Sequence, residues 1–82
     1  MKLPRDINGG ELARKLEKYG YRITRQTGSH IRLTSVIKGT EHHITVPQHG
    51  ILKIGTLSGI LSEVASYLEL EKKTVISKLF EI

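Results

Sequence analysis

Residues 21–47, YRITRQTGSHIRLTSVIKGTEHHITVP, contain three short runs in which apolar and polar residues alternate. The runs cover residues 21–26, 29–37 and 41–46. Because successive side chains on a strand point to opposite faces, this period of two predicts half-buried β-strands. Gly28 and Gly39 lie in the short connections, where they favour turns. The stretch therefore predicts an antiparallel three-stranded meander.

The alternation also assigns the side chains of each predicted strand to one of two faces. The face expected to lie on the core carries Tyr21, Ile23, Ile31, Leu33, Ile44 and Val46. The face expected to be polar carries Arg22, Thr24, Gln26, His30, Arg32, Thr34, His43 and Thr45. We expect this polar face to stay open to water.

A helix is predicted before the strands, over residues 7–20, where apolar residues recur at helical spacing. Asn8 and Glu11 are spaced to form a capping box at its start. Gly20 follows at a position where a left-handed residue ends a helix at little cost.

Two further helices are predicted after the strands. Thr56 is expected to cap a helix that runs to Leu68, and residues 70–80 suggest a short C-terminal helix. Apolar helical stripes and one apolar sheet face can cover each other, so the predicted fold class is α+β, with helices packed on one face of the sheet.

Size and composition narrow the class of protein. The chain has 82 residues, which predicts a single domain over residues 1–82. It lacks the roughly 20 consecutive apolar residues of a membrane span, and its first residues lack the apolar run of a secretory signal, so we expect a soluble cytoplasmic protein. The absence of cysteine excludes disulfides, thiolate metal sites and a cysteine nucleophile. A net charge of +5 favours a polyanionic partner such as nucleic acid; a merely soluble basic surface is an equally weighted alternative, because net charge does not show how the charges are arranged.

His30 is the residue of greatest chemical interest. It directly follows Gly28 and Ser29, opens a predicted strand and is expected on the polar face. An exposed imidazole can take up and release a proton near neutral pH, so His30 could act as a general base or acid. An ordinary surface histidine is the alternative.

The other histidines are less informative. His42 and His43 are adjacent on a strand and so face opposite ways, which predicts one partly buried and one exposed imidazole rather than a zinc site. His49 and Lys53, with Thr56, could form a phosphate-binding patch at a helix N-terminus or simply a solvated loop.

Several active-site classes have no candidate residues. The eight acidic residues form no paired-carboxylate cluster of the kind a two-metal nuclease needs, and no P-loop or serine triad is present. A nuclease built from this sequence would have to use histidine without metal or other cofactor.

Four blocks of the sequence, in this order, resemble the HicA toxin family. They are residues 20–21 (GY), residues 25–30 (RQTGSH), residues 45–49 (TVPQH) and residues 53–57 (KIGTL), within a resemblance that covers residues 8–68. The resemblance implies the α-β-β-β-α fold of a double-stranded RNA-binding domain, cleavage of mRNA that blocks translation, and a catalytic histidine at His30. It also implies no metal cofactor and a HicB-type antitoxin partner that covers the active site, with the toxin monomeric when alone.

The sequence therefore favours a ribonuclease toxin. His30 is predicted to transfer protons, and Arg22, Arg32 and Lys53 to hold RNA phosphates. Ser29 and His49 are further expected RNA contacts, and Ser29, Arg32, His43 and His49 all remain candidates for a second catalytic group. Ile51 or Leu52 is either an antitoxin contact or a core residue. The competing hypotheses are a non-catalytic RNA-binding module and a decayed toxin that survives only as a binding partner.

Overall fold

The order of elements in the computed structural model, which describes residues 3–48 and 50–82, is one helix, three strands and two helices. The elements are α1 (Gly9–Leu16) continued by a 3₁₀ turn (Glu17–Tyr19), β1 (Arg22–Gln26), β2 (His30–Ser35), β3 (His42–Pro47), α2 (Ile54–Leu68) and α3 (Lys72–Phe80). The strands form one antiparallel sheet in the order β1-β2-β3. The predicted α+β fold with the order α-β-β-β-α and a short C-terminal helix is confirmed.

Both predicted ends of the first helical segment are confirmed, although its regular α-helical part is shorter than residues 7–20. Asn8 Oδ1 accepts a hydrogen bond from the Glu11 amide at 2.9 Å, and Glu11 Oε1 accepts one from the Asn8 amide at 3.2 Å. This reciprocal pair is the predicted capping box. Gly20 ends the segment with a φ of 81°, in the left-handed region that favours glycine.

The predicted start of α2 is wrong by three residues. Lys53, not Thr56, holds the capping position, and Thr56 lies inside the first turn. The Leu57 amide donates to the Lys53 carbonyl at 2.9 Å and closes that turn, and no side chain caps this end. Burial of Leu52 and Leu57 in the core therefore fixes the start of the helix. The prediction from sequence had instead relied on the Thr56 hydroxyl as the cap.

One face of the sheet forms the floor of the hydrophobic core. Ile31, Leu33, Ile44 and Val46 are all buried there, as the alternation predicts. The three helices supply most of the remaining core, and Ile7, Tyr21 and Leu52 in the connections complete it. The helical core residues are Leu12, Ala13, Leu16, Leu57, Ile60, Leu61, Val64, Ala65, Leu68, Val75, Ile76 and Leu79. The helices thus cover one face of the sheet and leave the other to solvent.

Strand β1 departs from the predicted alternation because its register shifts between Ile23 and Arg25. Past the shift, Arg25 pairs with Arg32 and Gln26 pairs with Ile31. The prediction that placed Gln26 on the polar face is therefore wrong, since a β-bulge adds one residue to the strand and reverses the faces that follow. Ile23, predicted to be a core residue, is 53% exposed on this edge strand.

His42 and His43 differ in burial, as predicted for neighbours on a strand. His42 is half-buried: its Nδ1 lies 2.7 Å from the Tyr21 hydroxyl, and its ring stacks on Tyr67 with centroids 4.7 Å apart. The Tyr67 hydroxyl reaches the connection after β2, where it hydrogen-bonds to the Lys38 amide at 3.0 Å. His42 therefore belongs to the packing between sheet and helix, whereas His43 is exposed on the polar face.

Candidate active site

His30 opens β2 with its side chain exposed. The turn before it is closed by the Thr27 amide, which donates to the His30 carbonyl at 2.9 Å. On the other side, the Gln48 amide donates to the Ser29 carbonyl at 2.8 Å, and His30 pairs with Pro47 across the sheet. The backbone around His30 is thus hydrogen-bonded to the residues that directly follow β1 and β3.

The His30 ring itself contacts the preceding residue. Ser29 Oγ lies 3.1 Å from Nδ1, within hydrogen-bonding distance. Either atom can donate, depending on the tautomer of the imidazole. Ser29, predicted as an RNA contact, therefore lies against the His30 ring.

A shallow cleft of about 340 Å³ surrounds His30 on the polar face of the sheet. Six side chains line it: Arg25, Thr27, His30, Arg32, His43 and Thr45. Of the predicted site residues, the structure thus brings His30 and Arg32 together in the cleft, with Ser29 in contact with the His30 ring. His43, one candidate for a second catalytic group, lies in the same cleft.

Arg25 is the most important cleft residue that sequence reasoning missed. Strict alternation assigns it to the core face, and only the shift between Ile23 and Arg25 brings it opposite Arg32. No turn residue or proline in the strand signals this bulge. The one available signal was the block of residues 25–30 that carries part of the family resemblance, because it contains both Arg25 and Thr27.

His43 is held by a chain of polar contacts at the far end of the cleft. Its Nδ1 lies 2.7 Å from Thr34 Oγ1, which in turn lies 2.8 Å from Thr24 Oγ1. Its Nε2 lies 3.5 Å from a Glu41 carboxylate oxygen. Since both ring nitrogens have partners, the position of this imidazole is fixed.

Arg22 and Lys53, two of the remaining predicted RNA contacts, lie away from the cleft. Arg22 pairs with Thr34, four residues from His30 along β2, which corresponds to roughly 13 Å of strand. Lys53 lies beyond β3 and lines a separate pocket with Pro47, Ile51, Leu52 and Thr56. His49 falls outside the described residues. Leu52 is a core residue, whereas Ile51 is 54% exposed.

The charges on the sheet have one sign. Its three strands contain three arginines and no aspartate or glutamate, and Glu41 flanks β3 at one end. Within the described part of the chain, the four ion pairs involve lysines or His43 and none involves an arginine. The open face is therefore an electropositive surface with an imidazole in its cleft.

The described residues hold neither a cluster of metal ligands nor a membrane-spanning helix. Over residues 3–48 and 50–82, no three His, Asp or Glu side chains gather into a group able to hold a metal ion. Among the same residues, no helix has the length and apolar character needed to cross a membrane.

Comparison with known proteins identifies the family. The family model described as the HicA toxin of bacterial toxin–antitoxin systems matches residues 9–65, from the start of α1 through most of α2. No curated protein and no solved structure matches the chain. The matched segment spans the whole sheet and every residue that lines the cleft around His30. This chain accordingly belongs to the HicA toxin family of bacterial toxin–antitoxin systems.

Proposed function

We propose that this protein is an endoribonuclease that cleaves mRNA and thereby inhibits translation, with His30 as its catalytic residue. The observation that carries the proposal is the position of His30 between Arg25, Arg32 and Thr27 in a cleft on an electropositive sheet face. Membership of the HicA toxin family supports RNA as the substrate.

The proposed reaction uses the ribose 2′-hydroxyl as nucleophile. His30 takes the 2′-hydroxyl proton, the 2′-oxygen forms a bond to phosphorus, and the bond from phosphorus to the 5′-oxygen breaks. The departing 5′-oxygen takes a proton from an acid at the site or from water, leaving a 2′,3′-cyclic phosphate and a 5′-hydroxyl. Neither metal nor cofactor enters these steps.

The hydrogen bond between His30 Nδ1 and Ser29 Oγ supports this role for His30. When Nδ1 is protonated and donates to Ser29 Oγ, the lone pair of the ring lies on Nε2, as a general base requires. A positioned histidine contributes roughly 10²- to 10⁴-fold to a rate, so phosphate binding by the cleft must contribute much of the remainder.

The outlying basic residues extend the RNA path. Arg22, at one end of the polar face, and Lys53, beyond β3, would each hold a phosphate of the strand that passes His30. His49 is a further proposed contact from the sequence.

The proposed partner is a HicB-type antitoxin that covers the electropositive face and neutralises the toxin. Alone, the toxin would be monomeric, and with its antitoxin it would form a hetero-oligomer. Both would act in the cytoplasm, where mRNA is translated.

Expression of the protein without an antitoxin is expected to stop bacterial growth and deplete mRNA, and the His30→Ala variant is expected to do neither. The His30 side chain is exposed, so the variant should fold normally. Arg14→Gln, on the exposed side of α1, is the matched surface control and should remain toxic. Full toxicity of His30→Ala, at equal protein levels, would rule out the assignment.

A non-catalytic RNA-binding module is the second candidate, favoured by the three arginines on a sheet without carboxylates. Such a module would bind RNA with a steep salt dependence and leave the RNA intact. Incubation of purified protein with labelled RNA separates the two candidates, because only the ribonuclease shortens the RNA. A protein that neither cleaves RNA nor arrests growth would be a decayed toxin.

A further inference from the structure

Arg25 and Arg32 lie directly opposite each other on neighbouring strands, and both line the cleft around His30. Like charges at opposing positions of an antiparallel pair destabilise a sheet. Nothing in the described part of the chain offsets this repulsion, because neither guanidinium forms an ion pair or a hydrogen bond there. The folded protein therefore holds two positive charges together without a counter-charge of its own.

The sheet is distorted in a way that creates this pair. The register shift between Ile23 and Arg25 brings Arg25 to the polar face, and Thr24 stabilises the distortion by bonding to Thr34 Oγ1 at 2.8 Å. Bulges are used in proteins to redirect a side chain next to an active site. Without the bulge, Arg25 would face away from Arg32 and from His30.

Two guanidinium groups side by side are suited to one bound phosphate. Each presents a planar set of N–H donors that matches two phosphate oxygens, and a phosphate between them replaces repulsion by two attractions. Arg32 is two residues from His30 on the same face of β2, about 7 Å away along the strand. A phosphate held by the pair thus lies within reach of the imidazole.

We propose that Arg25 and Arg32 form a clamp for the scissile phosphodiester and stabilise the extra negative charge that develops on its non-bridging oxygens during cleavage. This inference rests on the proposed ribonuclease function and assigns the reacting phosphate to one place in the cleft. Because the charge on these oxygens grows in the transition state, the clamp binds the transition state more tightly than the substrate.

Cleavage of an RNA oligonucleotide by Arg25→Gln and Arg32→Gln tests the clamp. Each variant is expected to lose about 10- to 100-fold in kcat with a smaller change in KM, and Arg25→Lys should recover only part of the loss because an ammonium lacks the planar fork. Arg14→Gln, which removes an exposed arginine of α1, is the matched control and should cleave at the wild-type rate. Wild-type kcat in both clamp variants, or a raised KM with unchanged kcat, would overturn the proposal.

Two further measurements separate the clamp from a folding defect and from the proposed function itself. Because a repulsive pair is relieved, the thermal midpoint of Arg25→Gln should equal or exceed that of the wild type; a lower midpoint would contradict the argument. In the His30→Ala background, inorganic phosphate at fixed ionic strength should raise the thermal midpoint, and Arg25→Gln should abolish that rise. If the wild-type protein does not cleave RNA, the proposed function fails, and the phosphate response still tests the clamp. If His30→Ala stops cleavage but the arginine variants cleave at the wild-type rate, the proposed function stands and only the clamp is contradicted.

Discussion

At the scale of single residues, the surroundings of His30 depend on three features of the backbone: strand alternation, turn geometry and strand register. His30 follows Gly28 and Ser29 at the start of a strand, and its exposure on the polar face follows from the alternation alone. The Ser29 contact to Nδ1 and the arrival of Arg25 in the same cleft depend on turn geometry and strand register. Neither depends on a residue type that stands out in the sequence.

Gly9 is a second residue whose role only the structure gives. It is buried at the start of α1, where an added Cβ would collide with the carbonyl oxygen of Pro47, the residue that pairs with His30. Gly9→Ala must therefore push α1 away from β3, and we expect a loss of about 1–3 kcal/mol in the free energy of unfolding.

The same substitution at Gly59 is the control. Gly59 lies inside α2, and an added Cβ there would meet no atom within 4 Å beyond its own stretch of helix. Gly59→Ala should therefore raise the free energy of unfolding by about 0.5–1 kcal/mol. Chemical denaturation of both variants checks the pair. Equal effects of the two substitutions would contradict the close packing of α1 on β3.

At the scale of elements, the sequence was sufficient to predict those features that depend on residues close together in the chain. The capping box of α1 needs only Asn8 and Glu11 at the right spacing, and both of its bonds form. The start of α2 and the bulge in β1 were missed because they depend on contacts with distant elements. Core packing of Leu52 and Leu57 sets the start of α2, and pairing with β2 defines the bulge in β1.

Contacts between elements also determine the alkaline limit of stability. Tyr21 is fully buried beneath α2, and burial, followed by the nearby Tyr67 and Glu63, raises the pKa of its phenol well above 10.0. The unfolded chain releases this proton near pH 10 and the folded chain retains it, so rising pH favours unfolding. Stability that is fully present below pH 10 is therefore lost as the pH climbs towards the pKa of the folded state.

Tyr21→Phe should flatten that loss above pH 10. At neutral pH the variant should be less stable by about 1 kcal/mol, because His42 loses the hydroxyl that lies 2.7 Å from its Nδ1. Denaturant unfolding of both proteins between pH 7 and 11 measures the two slopes. Identical slopes would show that Tyr21 does not control the alkaline transition.

At the scale of the whole molecule, the acidic residues are kept off the strands. A net charge of +5 predicted a polyanionic partner but could not say where it binds. In the folded protein the strands hold arginines without carboxylates, and seven of the eight acidic residues lie before β1 or after β3. The helical layer is held by the core, and the open face of the sheet is left for the proposed RNA substrate.

The family match and the structure divide the chain differently. The match ends at residue 65, before α3, yet Val75, Ile76 and Leu79 of α3 are buried in the same core as the sheet. The C-terminal helix is therefore part of the structural support of the fold, and all of the proposed chemistry lies inside the matched segment.

The most direct test of the central claim is the rate at which purified wild-type protein and the purified His30→Ala variant cleave one RNA oligonucleotide. An otherwise identical oligonucleotide with 2′-deoxyribose throughout serves as the control substrate. The account predicts that His30→Ala slows cleavage by about 10²- to 10⁴-fold and that the deoxy substrate is not cleaved. Cleavage by His30→Ala at the wild-type rate, or cleavage of the deoxy substrate, would contradict it.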